Sequence, residues 1–155
     1  MSVDVGQLAP ELEIPSNQGE LVKLADFRGR NVVLYFYPKD MTPGCTTQAC
    51  DFRDYHQHFQ EVNAVIIGIS TDPVNRHQAF INKYGLPFIL LADVDHMAAE
   101  AYGVWKLKKN FGKEYMGIER STFIISEDGY IMNEWRKVKV KGHIEAALQY
   151  LKENQ

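Results

Sequence analysis

The chain has 155 residues, 45% of them hydrophobic and 24% charged, with a formal charge of -3, which suits one globular domain with a single core. A pI near 5.9 provides no positive field for a phosphate backbone, so nucleic acid is not expected as a main partner. The longest apolar runs, VVLYFY and AVIIGI, are too short to cross a bilayer, and the opening MSVDVGQLAPELEIP lacks the basic and apolar regions of a secretory signal; the expectation is a soluble, cytoplasmic protein.

In chain order, ELEIPSNQGELVKL reads as a short hairpin turning at NQG. NVVLYFYP (31–38) is a continuous apolar run bounded by Gly-Arg and proline, the pattern of a buried strand. A helix is predicted from about Gly44 to Phe59, followed by a second buried strand, AVIIGIS (64–70). Asp72-Pro73 then predicts a capped helix start, with apolar Phe80, Ile81 and Tyr84 at helical spacing. FILL (88–91) predicts a short strand and HMAAEAYG a short helix closed by glycine. KLKKNFGKEY (106–115) is basic and reads as a solvated loop. STFIIS (121–126) and YIMNEWRKV form a strand pair around EDG, and a final helix from about Gly142 carries Ile144, Ala147, Leu148 and Leu151 on one face. Strands alternating with helices, then a terminal hairpin and helix, predict a mixed sheet covered on both faces, without repeats or linkers.

Both cysteines lie in one stretch, TPGCTTQAC (42–50). At about 100° per residue, Cys45 shares a helix face with Ala49, Phe52, His56 and Phe59, while Cys50 lies roughly 140° away beside Arg53, Asp54 and Gln57. Cys45 is therefore expected in the first turn at the edge of the core, where free N–H groups and the helix dipole favour an anion, and Cys50 nearer the surface. Residues five apart in an intact helix have Cα atoms roughly 8–9 Å apart, whereas a disulfide needs about 4.4–6.8 Å. A bridge between them requires unwinding, so a static disulfide is a poor reading and a transient one a good reading. Spacing alone leaves open a redox pair and two ordinary small hydrophobes.

The preceding residues add specificity. In FYPKDMTPGCTTQAC, Pro38, Thr42 and Cys45 match the Pro-x3-Thr/Ser-x2-Cys signature of peroxiredoxins. The surrounding YFYPKDMTPGCTTQACDFRD, with GQLAPELEIP, DFRGRNVVLYFYP, LADVDH, YGVW and GIERSTFIISEDG, resembles their bacterioferritin comigratory protein (PrxQ) subfamily over nearly the whole chain. The resemblance implies an α/β, thioredoxin-like fold over residues 1–155, a mixed central sheet flanked by helices with an N-terminal β-hairpin extension. It implies a peroxidatic Cys45, a Thr42 that hydrogen-bonds the thiolate and the peroxide, a shielding Pro38, an Arg120 beside the site, and Cys50 as a resolving cysteine within the same helix. It further implies reduction of hydrogen peroxide and organic hydroperoxides, sulfenic acid at Cys45, an intramolecular disulfide after local unwinding, and re-reduction by thioredoxin, with glutaredoxin the other reductant considered. No cofactor and no metal is implied. The chain lacks a GGLG segment, a C-terminal Tyr-Phe pair and a cysteine near its C-terminus, so the expected enzyme is monomeric and resists overoxidation.

Each residue also has a plainer reading. Pro38 and Pro43 serve as helix-entry punctuation, Thr42 as a cap, and Arg120 as a surface ion pair. His56 on the apolar face reads as a hydrogen-bonded core histidine. Cys45, Cys50 and His56 lack the paired spacings of a closed zinc site, and His58, His77, His96 and His143 show no ligand spacing. Trp105, Trp135 and Phe111 are left open between packing and framing the pocket. Two other functions compete: a thioredoxin-type disulfide oxidoreductase, which needs a Cys-x-x-Cys that the chain lacks, and a non-catalytic thioredoxin-fold binding or chaperone module.

Overall fold

The computed structural model describes residues 3–155; Met1 and Ser2, with which the expected domain opens, lie outside the described residues. Strands β1 (Glu13–Pro15) and β2 (Leu21–Lys23) pair antiparallel as the expected N-terminal hairpin, followed by a 3-10 turn over Leu24–Phe27. The core sheet comprises β3 (Asn31–Phe36), β4 (Ala64–Ser70), β5 (Ile89–Ala92), β8 (Ser121–Ile125) and β9 (Ile131–Trp135), in the order β5-β4-β3-β8-β9. β3, β4 and β5 run parallel, whereas β8 is antiparallel to β3 and β9 to β8. The sheet is mixed, as predicted.

Alternation along β3 divides the core in two. Val32, Leu34 and Phe36 join Ile67, Ile69, Tyr102 and Phe123 on one face. Val33, Tyr35 and Tyr37 join Phe52, Phe80 and Leu148 on the other. Helices α1 (Pro43–Asp54), α3 (Val74–Tyr84) and α5 (His143–Glu153) supply buried residues to the second face, and α4 (Met97–Ala101) to the first. Cover on both sides explains why the central strands read as unbroken apolar runs. Gly68 interrupts β4 for a steric reason: a Cβ there would stand 2.8 Å from Tyr35 Cζ and 2.7 Å from Leu90 Cδ2.

Three predicted elements differ. The helix expected over 44–59 breaks at Tyr55, and a separate α2 (His56–Glu61) follows. His56 therefore lies beyond the stripe that carries Cys45 and is half-buried rather than in the core; desolvation, then Arg30, pushes its pKa down. Pro73, not Asp72, is the N-cap of α3, because Asp72 turns back to accept hydrogen bonds from Ser70 Oγ and the Asp40 N–H, both at 2.7 Å. The basic stretch 106–115 lies within a second hairpin, β6 (Trp105–Asn110) and β7 (Lys113–Ile118). Phe111 and Gly112 make its two-residue turn, both with positive φ, the geometry that joins twisted strands tightly. Lysines on both of its faces concealed the alternation.

Candidate active site

β3 ends at Phe36, and the next six residues form the loop that leads into α1. This places the motif at the carboxyl end of a central parallel strand, where α/β sheets leave room for a site. Thr42 has extended dihedrals and caps α1 through its carbonyl, which accepts from Thr46 N–H at 2.8 Å, with Pro43 in the first turn. The Thr42 hydroxyl makes no capping bond; it donates to the Lys39 carbonyl at 2.9 Å. Pro38 is half-buried at the start of this loop.

Cys45 sits in the first turn of the helix at 1% exposure, on a buried face with Gln48, Ala49 and Phe52. Cys50 is half-buried, and both are free thiols within the unbroken α1. The two thus lie where helical spacing put them, unbridged while the helix is intact.

Arg120 lies between β7 and β8, its carbonyl accepting from Val138 N–H at 2.9 Å. Its guanidinium forks: Nη2 donates to Cys45 Sγ at 3.3 Å and Nη1 to Gln48 Oε1 at 2.5 Å. A cation beside sulfur at a helix N-terminus offers donors to charge that develops next to it. Gly44 permits the approach, since a Cβ there would stand 3.2 Å from Nη2. The structure thus unites Cys45 and Arg120, 75 residues apart in sequence.

Sequence reasoning missed several neighbours. Gln48 is fully buried, with its Nε2 unpaired among the described residues. Its position three residues after Cys45, on the same helical face, was the available signal. Lys108 arrives on the second hairpin, its stem 3.3 Å from where a Gly117 Cβ would be. Burial, then Arg120, lowers its pKa, while Cys45 and Glu119 act oppositely. His143, at the start of α5, meets Thr122 Oγ1 through Nε2 at 2.8 Å; desolvation, then Arg120, lowers its pKa to about 4. Trp135 packs edge-on to His143 and Trp105 stacks on His96, whereas Phe111 projects into solvent. No group of three metal-ligating side chains occurs among the described residues, and no helix there is long and apolar enough to cross a membrane.

The AhpC/TSA family model matches residues 5–133. Peroxiredoxin Bcp of Bacillus subtilis is 61% identical over 153 residues, covering 99% of this chain and 98% of that protein. A cysteine-to-serine variant of Xanthomonas campestris Peroxiredoxin Q superposes with a TM-score of 0.92 at 40% identity, over 99% of this chain and 100% of that one. A further Xanthomonas campestris Bacterioferritin Comigratory Protein structure, described in terms of alkyl peroxide reduction activity, gives a TM-score of 0.91 at 40% identity, over 97% and 99% of the two chains. The fold is thioredoxin-like, and the relatives match along almost their entire length. The chain belongs to the AhpC/TSA family and, within it, to the Bcp/PrxQ peroxiredoxins, which are thiol peroxidases.

Proposed function

We propose that this chain acts as one peroxiredoxin domain in which Cys45 is peroxidatic, Cys50 resolving, and Thr42, Arg120 and Pro38 shape the peroxide pocket. The observation that carries the reading is Arg120 Nη2 at 3.3 Å from the buried Cys45 Sγ. The Cys45 thiolate attacks one oxygen of ROOH; the O–O bond breaks, its electron pair leaves with RO, and a proton completes ROH. Arg120 and the N–H groups that open α1 offset the negative charge on the reacting oxygens. The Thr42 hydroxyl, which already donates to Lys39, keeps its lone pairs for a peroxide hydrogen. Pro38 closes the loop side against water.

The product at Cys45 is a sulfenic acid. Cys50 sulfur then attacks it, the S–O bond breaks, water leaves, and the disulfide forms once the first turns of α1 unwind. A dithiol protein of the thioredoxin type, with glutaredoxin the other candidate, takes the disulfide by exchange and restores both thiols. Hydrogen peroxide and alkyl hydroperoxides are the substrate class, the enzyme works as a cytoplasmic monomer, and no cofactor takes part.

The test is peroxide consumption coupled to thioredoxin, thioredoxin reductase and NADPH, in wild type, Cys45→Ser and Cys50→Ser. Both variants lose turnover, and only Cys50→Ser keeps a single fast oxidation. Sustained thioredoxin-linked turnover by Cys50→Ser would remove Cys50 from the cycle, and an inactive wild type would favour a binding module.

A further inference from the structure

Asp40, between Pro38 and Thr42, is 1% exposed, and all four of its polar atoms are engaged. Its N–H donates to Asp72 Oδ2 at 2.7 Å, and its carbonyl accepts from Arg76 Nη2 at 3.1 Å. Its Oδ1 accepts from the Tyr37 hydroxyl at 2.5 Å, and its Oδ2 lies 2.6 Å from His77 Nδ1. His77 is fully buried on α3, and its Nε2 lies 2.9 Å from the Leu91 carbonyl. A carbonyl only accepts, so Nε2 carries a proton, and one further proton lies between Nδ1 and the carboxylate. Asp72 is held by Ser70 Oγ, and its Oδ1 forms a 3.2 Å ion pair with Arg76 Nε, although that contact lacks hydrogen-bond angles.

This network surrounds a strained residue. Met41, between Asp40 and Thr42, has φ +68°, a left-handed conformation that bulky side chains avoid. Such strain persists where the surroundings over-determine it, and the bonds on Asp40 do so from three places: the residue after β3 through Tyr37, the β4–α3 connection through Asp72, and α3 through His77 and Arg76. The next residue is Thr42, whose carbonyl starts the helix carrying Cys45.

We propose that Asp40 is a positioning residue for the peroxide reaction: with His77, Asp72 and Arg76 it clamps the loop 38–42, and so fixes Thr42 and the start of α1 relative to Arg120. It touches neither peroxide nor sulfur. The inference rests on the proposed roles of Cys45 and Cys50. It predicts a split, in which loosening the clamp slows sulfenic acid formation, where atoms must already be aligned, and leaves disulfide closure, where α1 must move, as fast or faster.

The experiment times two steps by rapid quench and mass spectrometry: dimedone capture of Cys45 sulfenic acid in a Cys50→Ser background, and loss of one water from the sulfenic acid on closure with Cys50 present. Asp40→Ala and His77→Leu slow the first step by about 10- to 100-fold, the scale of a misplaced reacting group, without slowing closure. Asp40→Asn stays within about threefold of the parent, because its amide can still accept from Tyr37 and donate to His77 Nδ1. Arg76→Ala, at a partly exposed side chain, removes the bond to the Asp40 carbonyl and the ion pair with Asp72 and slows the first step several-fold, which keeps the test open if a buried variant fails to fold. A first step at parental rate in Asp40→Ala or in Arg76→Ala, or an equal loss in Asp40→Asn and Asp40→Ala, overturns the clamp. Failure of the parent itself to form sulfenic acid would overturn the proposed function instead.

Discussion

The residues on either side of Thr42 are held in opposite ways. Upstream, the loop is bonded through the backbone and side chain of Asp40, the Tyr37 hydroxyl and the Lys39 carbonyl. Downstream, α1 is a 12-residue helix, a length at which an isolated helix is marginal in water. Its side-chain polar ties to the rest of the fold, among the described residues, run from Arg120 to Cys45 and Gln48, and from Arg53 Nη1 to the Tyr84 carbonyl at 2.7 Å. Its apolar anchor is Phe52, stacked on Tyr35 at 4.6 Å and beside Phe59 and Phe88. The difference fits the proposed cycle: a peroxide pocket requires fixed atoms, and a disulfide five residues away requires a helix that opens.

Removing the anchor sharpens the contrast most. Phe52→Ala leaves a cavity in a fully buried aromatic cluster and is expected to cost about 3–5 kcal/mol of stability. The informative reading is native-state hydrogen exchange. Amides of 43–54 should lose protection well before those of 37–42; simultaneous loss would show that loop and helix open as one unit.

The next effect belongs to the chemistry. Arg120→Met removes the donor at 3.3 Å from sulfur and should slow single-turnover oxidation of Cys45 by about 10²- to 10³-fold, the usual loss for a donor to developing charge. Closure of a sulfenic acid already formed, timed separately, should change little. Comparable slowing of both steps would mean that Arg120 mainly staples α1 down.

Much of this was legible in the sequence. Apolar runs gave β3 and β4, helical spacing put Cys45 inside and Cys50 nearer the surface, and the family resemblance drew attention to Arg120. The missed roles of Asp72 and His77 share a physical cause, since their partners are distant in sequence. Asp72 resembled an N-cap because Asp before Pro usually is one, and its bond to Asp40 spans 32 residues. His77 looked like one more unspaced histidine, yet it meets an aspartate 37 residues earlier. The helix break at Tyr55 and the lysine-rich hairpin escaped for a local reason: neither proline nor glycine marks the break, and Lys106, Lys108, Lys109 and Lys113 spread charge over both hairpin faces and mask its period.

Acid tests whether the sheet side of the site stays fixed. His143 is buried against Thr122, with its pKa lowered to about 4 from the usual 6.5 by desolvation and then by Arg120. Between those values the unfolded chain binds a proton that the folded chain refuses. The stabilisation is therefore complete above about pH 6.5, falls as pH drops, and is gone near pH 4; the full window is worth about 3 kcal/mol. Urea midpoints at pH 7.5 and 5 should diverge less in His143→Gln than in wild type. Equal slopes would mean that His143 titrates alike folded and unfolded.

The smallest expected effect discriminates best. Gly44 lies in the first turn of α1, where a Cβ would stand 3.2 Å from Arg120 Nη2. Its φ is not positive, so alanine is not strained by the backbone, and replacing a helical glycine should add up to about 1 kcal/mol of stability. The guanidinium, however, must retreat by a few tenths of an ångström, lengthening its 3.3 Å contact with sulfur. Gly44→Ala should therefore melt higher and oxidise Cys45 several-fold more slowly, opposite signs that a purely structural glycine would not give. A variant both more stable and equally fast would show that the arginine has slack, and that the contrast between a fixed pocket and a movable helix begins later in α1 than Gly44.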